Sequence, residues 1–362
     1  GAVDADGEPI DLAIAGGIFV EQAHDAPVLD ASGLTAVPGF IDIQMNGGWG
    51  HDFTNDPTSI WEVGRVLPRT GVTSFCPTII TSPHDRIEAA QAAMAQRPDG
   101  YVGAEPLGLH IEGPHLSEER RGTHPKDLLM PPSGSRLTGD HVAIATIAPE
   151  LDGAVDLVTT YVMMDIVVSI GHSAATAEQA RAAIDAGATL GTHLFNGMPP
   201  IGGREPGIAG ALLMDQRTRF GVIVDDVHLH DDILAMIWKL APDRAILITD
   251  AIAAAGMPDG RYEIGNIAVE VSEGAVRNDE GNLAGSVLTM DVGLSNIMRR
   301  ANVALPAAVR ALTANPAAAL NRPDLGTIAI GNRGDVVLLA DDHVVCTVVG
   351  GTIAFVQDAE SP

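Results

Sequence analysis

Four apolar, β-rich runs of the chain each end in a residue able to bind a metal ion or carry a proton. They are LGLHIE at Glu112, DIVVSIGH at His172, LGTH at His193 and AILITD at Asp250. Two imidazoles and a hard carboxylate suit Zn2+ or another first-row divalent ion. Three protein ligands leave a position open for water, and a bound divalent ion lowers the pKa of that water from ~15.7 to roughly 7. Glu112, His172 and His193 are therefore candidate ligands. Asp250 has the task of accepting the water's proton and delivering it to a leaving group. Each residue alone has an ordinary reading: a hydrogen-bonded strand-end His, a loop ion pair for Glu112, a turn or helix cap for Asp250. Their joint placement argues for a metal-dependent hydrolase.

Such a site needs elements that bring four strand ends together. Between residues 38 and 325, β-branched runs alternate with Ala-rich amphipathic stretches, the pattern of βα units and a parallel sheet. Eight candidate strands fall at 40–46, 74–80, 106–112, 143–149, 165–172, 190–195, 220–225 and 244–250. Eight is the number a closed (β/α)8 barrel requires, and its C-terminal strand ends share one face. The four chemical residues then lie at the ends of strands three, five, six and eight. Helices are expected at 174–187, with Ser173 as N-cap, at 231–240, 287–302 and 305–320. Residues 1–37 and 326–362 have another texture, short β-branched runs broken by Gly and Asp turns, and are expected to pair as a small β-sandwich domain. Two long loops, 113–134 and 196–210, follow strands three and six; loops of that length are usually functional.

Composition narrows the partners. The 362 residues carry a formal net charge of −26, and Lys126 and Lys239 are the only lysines. Nucleic acid and anionic membranes are excluded as partners, because phosphate backbones are bound by concentrated Lys and Arg. A small anionic substrate would need a local cationic cluster, for which Arg120, Arg121, Lys126 and Arg204 are the candidates. Cys76 and Cys346, far apart and without CxxC spacing, suggest neither a disulfide framework nor a thiolate metal site and favour a reducing cytoplasm. No apolar stretch has the length of a membrane span, and no secretory leader pattern opens the sequence.

The remaining histidines separate by position. His110 shares strand parity with Glu112 and should point into the barrel in a structural role. His51, His84, His141 and His343 read as solvated or loop residues. His115, His124, His228 and His230 lie in loops on the active face, with His124 and His228 the better substrate contacts; Arg204 could grip a phosphate bidentately.

The strings PGFIDIQMNGG, GLHIEGPH, RRGTHP, GHSAAT, THLFNGMPPIGGREPGIAG, ITDAIAAAG and LAGSVLTM occur in this order over residues 38–290. Together they resemble the N-acetylglucosamine-6-phosphate deacetylase family of the amidohydrolase superfamily, and with the flanking β-segments the resemblance covers nearly the whole chain. It implies Glu112, His172 and His193 as metal ligands and Asp250 as general base and then acid. It implies sugar and phosphate contacts from Thr123, His124, Asn196, Gly197, Arg204, His228, Leu283, Ala284 and Gly285, some of them across a homodimer interface. Gln44 and Asn46 stand where many amidohydrolases place an HxH pair for a second metal. Neutral amides are poor ligands, so one divalent ion per subunit is expected, zinc first, with Fe2+, Co2+ or Mn2+ as alternatives. Asp226 replaces a usual Gly and puts a carboxylate near the expected phosphate pocket, and Gly197 replaces a common Ala. The implied reaction is hydrolysis of N-acetyl-D-glucosamine 6-phosphate to D-glucosamine 6-phosphate and acetate. The alternatives are an amidohydrolase acting on another N-acetyl sugar or on an N-acyl or cyclic amide, or a catalytically inactive binding or scaffold protein.

Overall fold

The computed structural model describes residues 1–24 and 27–357. Its centre is a barrel of eight parallel strands: Phe40–Met45, Val72–Ile80, Leu109–Glu112, Val142–Ile147, Val167–Ile170, Leu190–Gly191, Arg219–Ile223 and Ala245–Ile248. Each pairs with the next in chain order. The eighth strand meets the first through a Met45–Ala251 bridge, an Asp250 N–H donated to the Gln44 carbonyl at 2.9 Å and an Asn46 N–H donated to the Ala251 carbonyl at 2.7 Å. The Asp42 carboxylate reinforces the seam by accepting the Thr249 hydroxyl at 2.6 Å. Strands covered on both faces carry no ionised side chain unless it is paired, and Val72–Ile80 is accordingly buried along its whole length with Thr and Ser as its only hydroxyl side chains.

Inside the barrel, Ile41, Ile43, Cys76, Ile144, Ile223, Ile246 and Ile248 pack as one cluster. The interior also holds a hydrogen-bonded polar layer. His110 Nε2 meets Thr146 Oγ1 at 2.7 Å, Thr146 meets Thr192 at 2.8 Å, Ser169 meets Thr192 at 2.5 Å, and His110 Nδ1 donates to the Ile43 carbonyl at 3.1 Å. A satisfied polar network of this kind fixes geometry without doing chemistry, which is the inward structural role expected for His110.

Three expectations about elements change. The helix after the fifth strand spans Ala177–Asp185 and is capped by Thr176, whose side chain and that of Gln179 form a reciprocal capping box; Ser173 has another use. The stretch 305–320 is two helices, Leu305–Leu312 and Ala314–Ala319, broken at Thr313. An antiparallel three-stranded sheet, Gly260–Ile264, Ile267–Ser272 and Ala275–Asn278, follows the eighth strand where no strand was expected. Its alternating burial and the glycines at turns 265 and 274 are hairpin signals present in the sequence.

The N- and C-terminal segments interleave in a six-stranded sheet, in the order Pro9–Ile10, Ala2–Val3, Thr35–Pro38, Val336–Ala340, His343–Val349 and Thr352–Val356. A hairpin, Ala13–Ala15 with Ile18–Val20, packs Phe19 into its apolar face. Residues 25–26 and 358–362, included in the expected terminal domain, lie outside the described residues. No helix among the described residues is long and apolar enough to cross a membrane.

Candidate active site

The four chemical residues are presented by one repeated device. Glu112 is the last residue of its strand and is followed by Gly113 at φ +89°. His172, His193 and Asp250 each lie two residues beyond a strand end, at φ +45°, +26° and +49°. Non-glycine residues rarely adopt this left-handed region, and each instance costs on the order of 1–3 kcal/mol unless neighbours over-determine it. Here they do: the His172 carbonyl accepts Ser117 N–H and the Asp250 carbonyl accepts Ser286 N–H, both at 2.9 Å. The reversal of the chain turns these three side chains into the barrel mouth beside Glu112, and all four are buried there.

Glu112 Oε1 lies 3.3 Å from Nε2 of both His172 and His193, and the two Nε2 atoms are 3.0 Å apart. Each Nδ1 faces a backbone carbonyl, Arg120 O at 2.9 Å for His172 and Asn196 O at 3.1 Å for His193. Those Nδ1–H donations leave both Nε2 lone pairs converging beside a carboxylate. Zn–N and Zn–O bonds of about 2.0–2.2 Å at tetrahedral angles separate donors by roughly 3.3 Å, so the three atoms fit a first-row cation. The field agrees. Burial alone would suppress a charge on His193, yet Glu112 and Asp250 raise its pKa. Burial opposes ionisation of Glu112, yet the imidazoles hold its carboxyl well below the usual range.

Asp250 stands apart from this triangle. Its Oδ1 accepts from Asn46 Nδ2 at 2.8 Å and more weakly from Gln44 Nε2 at 3.4 Å, while Gln44 Nε2 also donates to Glu112 Oε1 at 3.1 Å. The two amides thus place N–H donors between the carboxylates, where a second cation would need lone pairs. Burial and the Glu112 charge push the Asp250 carboxyl up to about 6.

A cavity of about 300 Å³ opens over these groups and is also lined by Thr123, His124, Asn196, Gly197, His228, Leu283, Ala284 and Gly285. Thr81 N–H donates to His124 Nδ1 at 3.3 Å, with the Thr81 hydroxyl 2.8 Å from the same nitrogen, so His124 carries its proton on Nε2, 4.0 Å from Glu112 Oε2. Burial and the neighbouring His172 lower its pKa to about 3, keeping it a neutral donor. His228 has the opposite arrangement: Nδ1 donates to Asp225 Oδ2 at 2.7 Å, leaving Nε2 as an acceptor. The loop of Thr123 and the segment after the inserted sheet are tied together by Thr123 Oγ1 to the Leu283 carbonyl, 3.2 Å, and by Arg121 to Glu280, 3.1 Å.

Other candidates fall elsewhere. Arg204 is exposed and outside the lining of this cavity. The expected cationic cluster does not assemble, since Arg120, Arg121 and Lys126 pair with Glu119, Glu280 and Glu118. Asp226 points away from the cavity, exposed beside Arg299 at 3.3 Å and Arg300 at 3.6 Å. His115 is buried on the Met130 carbonyl, and His230 caps the helix Asp231–Leu240. Sequence reading missed Asn282 and Ile264, which reach the cavity from the unexpected sheet and the segment after it.

Fold and site together define a metal-dependent hydrolase, and residues 35–354 match the model of the Amidohydrolase family. The chain is 34% identical over 354 residues to an N-acetylglucosamine-6-phosphate deacetylase of Mus musculus, covering 92% of this chain and 86% of that one. It is 37% identical over 311 residues to an N-acetylgalactosamine-6-phosphate deacetylase of Escherichia coli O157:H7, covering 83% and 82%. A Mycobacterium smegmatis N-acetyl-D-glucosamine-6-phosphate deacetylase variant, solved in complex with N-acetyl-D-glucosamine-6-phosphate, superposes with a TM-score of 0.82 at 34% identity, covering 95% and 94%. The chain belongs to the N-acetylglucosamine-6-phosphate deacetylase family.

Proposed function

We propose that the protein hydrolyses N-acetyl-D-glucosamine 6-phosphate to D-glucosamine 6-phosphate and acetate, with Asp250 as the proton carrier beside a single divalent ion, zinc first, held by Glu112, His172 and His193. The observation that carries the reading is the convergence of two Nε2 atoms and Glu112 Oε1 within 3.3 Å, with Asp250 alongside but outside the triangle. The ion, when bound, supplies Lewis-acid polarisation of the acetamide carbonyl and a more acidic water. Asp250 accepts the water proton as the water oxygen bonds to the carbonyl carbon. When the C–N bond breaks and its electron pair stays on nitrogen, Asp250 returns the proton there, releasing amine and acetate. His124 Nε2–H is the donor available to the developing oxyanion, and the His228 Nε2 lone pair accepts a sugar hydroxyl. Asn196, Gly197 and the 283–285 segment frame the sugar.

No Arg or Lys lines the cavity among the described residues, although the substrate is a phosphate ester. This supports a homodimer in which the exposed Arg204 reaches the partner's cavity. Arg204→Ala should then raise KM by about tenfold or more, since a charge-assisted contact contributes about 1.5–3 kcal/mol, and leave kcat within about threefold. Co-expressing Arg204→Ala with Asp250→Asn distinguishes the arrangements: across an interface, mixed dimers regain one intact site, whereas an Arg204 acting within its own chain leaves none.

Acetate release tests the reaction itself. The 6-phosphate should outperform unphosphorylated N-acetylglucosamine, and equal rates would sink the phosphate assignment. The galactosamine deacetylase relationship supports the C4 epimer as a second reading, and N-acetylgalactosamine 6-phosphate assayed alongside decides between the sugars.

A further inference from the structure

Glu150 is absent from the site residues above, yet its carboxylate grips the chain immediately after His172. It lies three residues past Ile147, the end of the fourth barrel strand. Its Oε2 accepts the Ser173 hydroxyl and its Oε1 accepts the Ala174 N–H, both at 2.6 Å. Ser173 Oγ in turn accepts the Ala175 N–H at 2.9 Å, and Ser173 N–H donates to the Gly197 carbonyl at 3.0 Å. Charge-assisted bonds this short are among the stronger polar contacts in a protein.

Helix capping does not account for this investment of a carboxylate. The following helix starts at Ala177 and has its own complete capping box, so Glu150, Ser173 and Ala174 serve the turn rather than the helix. What the turn contains is His172 at φ +45°, a strained residue whose imidazole has a single orienting bond, Nδ1 to the Arg120 carbonyl. A left-handed backbone persists only where neighbours over-determine it.

We propose that Glu150 is a positioning residue for His172: its two-toothed hold on Ser173 and Ala174 fixes the turn that aims His172 Nε2 at His193 and Glu112, so the metal site is formed before the ion arrives. Glu150 does not line the cavity and acts through His172 alone. This rests on the reading of Glu112, His172 and His193 as ligands.

The test measures zinc affinity by chelator competition on the folded full-length chain, with melting of the metal-stripped forms alongside. Glu150→Ala should weaken zinc binding by about 10–100-fold, the range for residues that orient metal ligands. In excess zinc its KM should stay within about twofold of wild type. Glu150→Gln, which keeps one oxygen acceptor, should fall between, and it carries the test if the Ala variant does not fold. Zinc affinity within twofold of wild type in folded Glu150→Ala, or in Glu150→Gln where the Ala variant does not fold, overturns the clamp. The ligand reading fails separately, if wild type and His193→Ala bind zinc alike.

Discussion

Asp250→Asn should lower kcat by at least about 100-fold, the lower bound for a general acid–base residue, while the protein keeps its bound metal. The geometry separates the two functions. Asp250 Oδ1 is held by Asn46 and Gln44, whereas Oδ2 has no hydrogen-bond partner among the described residues and belongs to a side chain lining the cavity. One oxygen anchors and the other is available to move a proton. Asparagine keeps the size and much of the anchoring but cannot accept a proton from water and return it to nitrogen. KM should therefore change little compared with kcat. The pH profile gives a second check. A base works only when ionised, and burial with the Glu112 charge pushes this carboxyl up to about 6, so kcat should fall as pH drops through that value. A bound cation pulls the same group down, placing the acid limb at or below about pH 6, and the limb should vanish in the Asn variant. Near-normal turnover in Asp250→Asn would remove Asp250 from the mechanism.

The barrel was legible because its signal is strong and local. Strands such as Ala245–Ile248 are buried throughout and read as short apolar runs, and the candidate chemical residues sit at or just past the point where those runs stop. The left-handed turns that aim His172, His193 and Asp250 were not legible, because none uses glycine at that position and their strain is held by contacts from distant segments, such as Ser117 and Ser286. Glu150 was overlooked for the same reason: its partners lie 23 and 24 residues away and no spacing rule links them. The three-stranded insert has alternation and turn glycines, but its strands are only four to six residues long and partly exposed, a weaker signal than the buried apolar runs of the barrel. Asp226 shows the reverse error. Its place at a position where the resemblance has Gly implies a carboxylate near the pocket, but Asp225 turns inward to bind His228 Nδ1 while the next residue points out to Arg299.

Removing one ligand should have the larger effect. His193→Ala is expected to lose bound metal and to lower turnover by about a thousandfold or more, since Lewis-acid stabilisation contributes several kcal/mol and each 1.36 kcal/mol is about tenfold in rate. The triangle explains why one side chain suffices: His193 Nε2 is within 3.3 Å of both other donors, so its loss opens one side of the set and leaves Glu112 buried with one fewer imidazole beside it. Excess zinc should restore little, in contrast to Glu150→Ala, where the ligands remain and only their aim is relaxed. Elemental analysis of the wild-type protein should find about one divalent ion per chain. Gln44 and Asn46 turn N–H groups toward Glu112 and Asp250, and a donor hydrogen cannot coordinate a cation. Two ions per chain would mean that these amides rotate to offer oxygen, and Asp250 would then be a ligand as well as a base. Metal retained in His193→Ala, with turnover near wild type, would overturn the site itself.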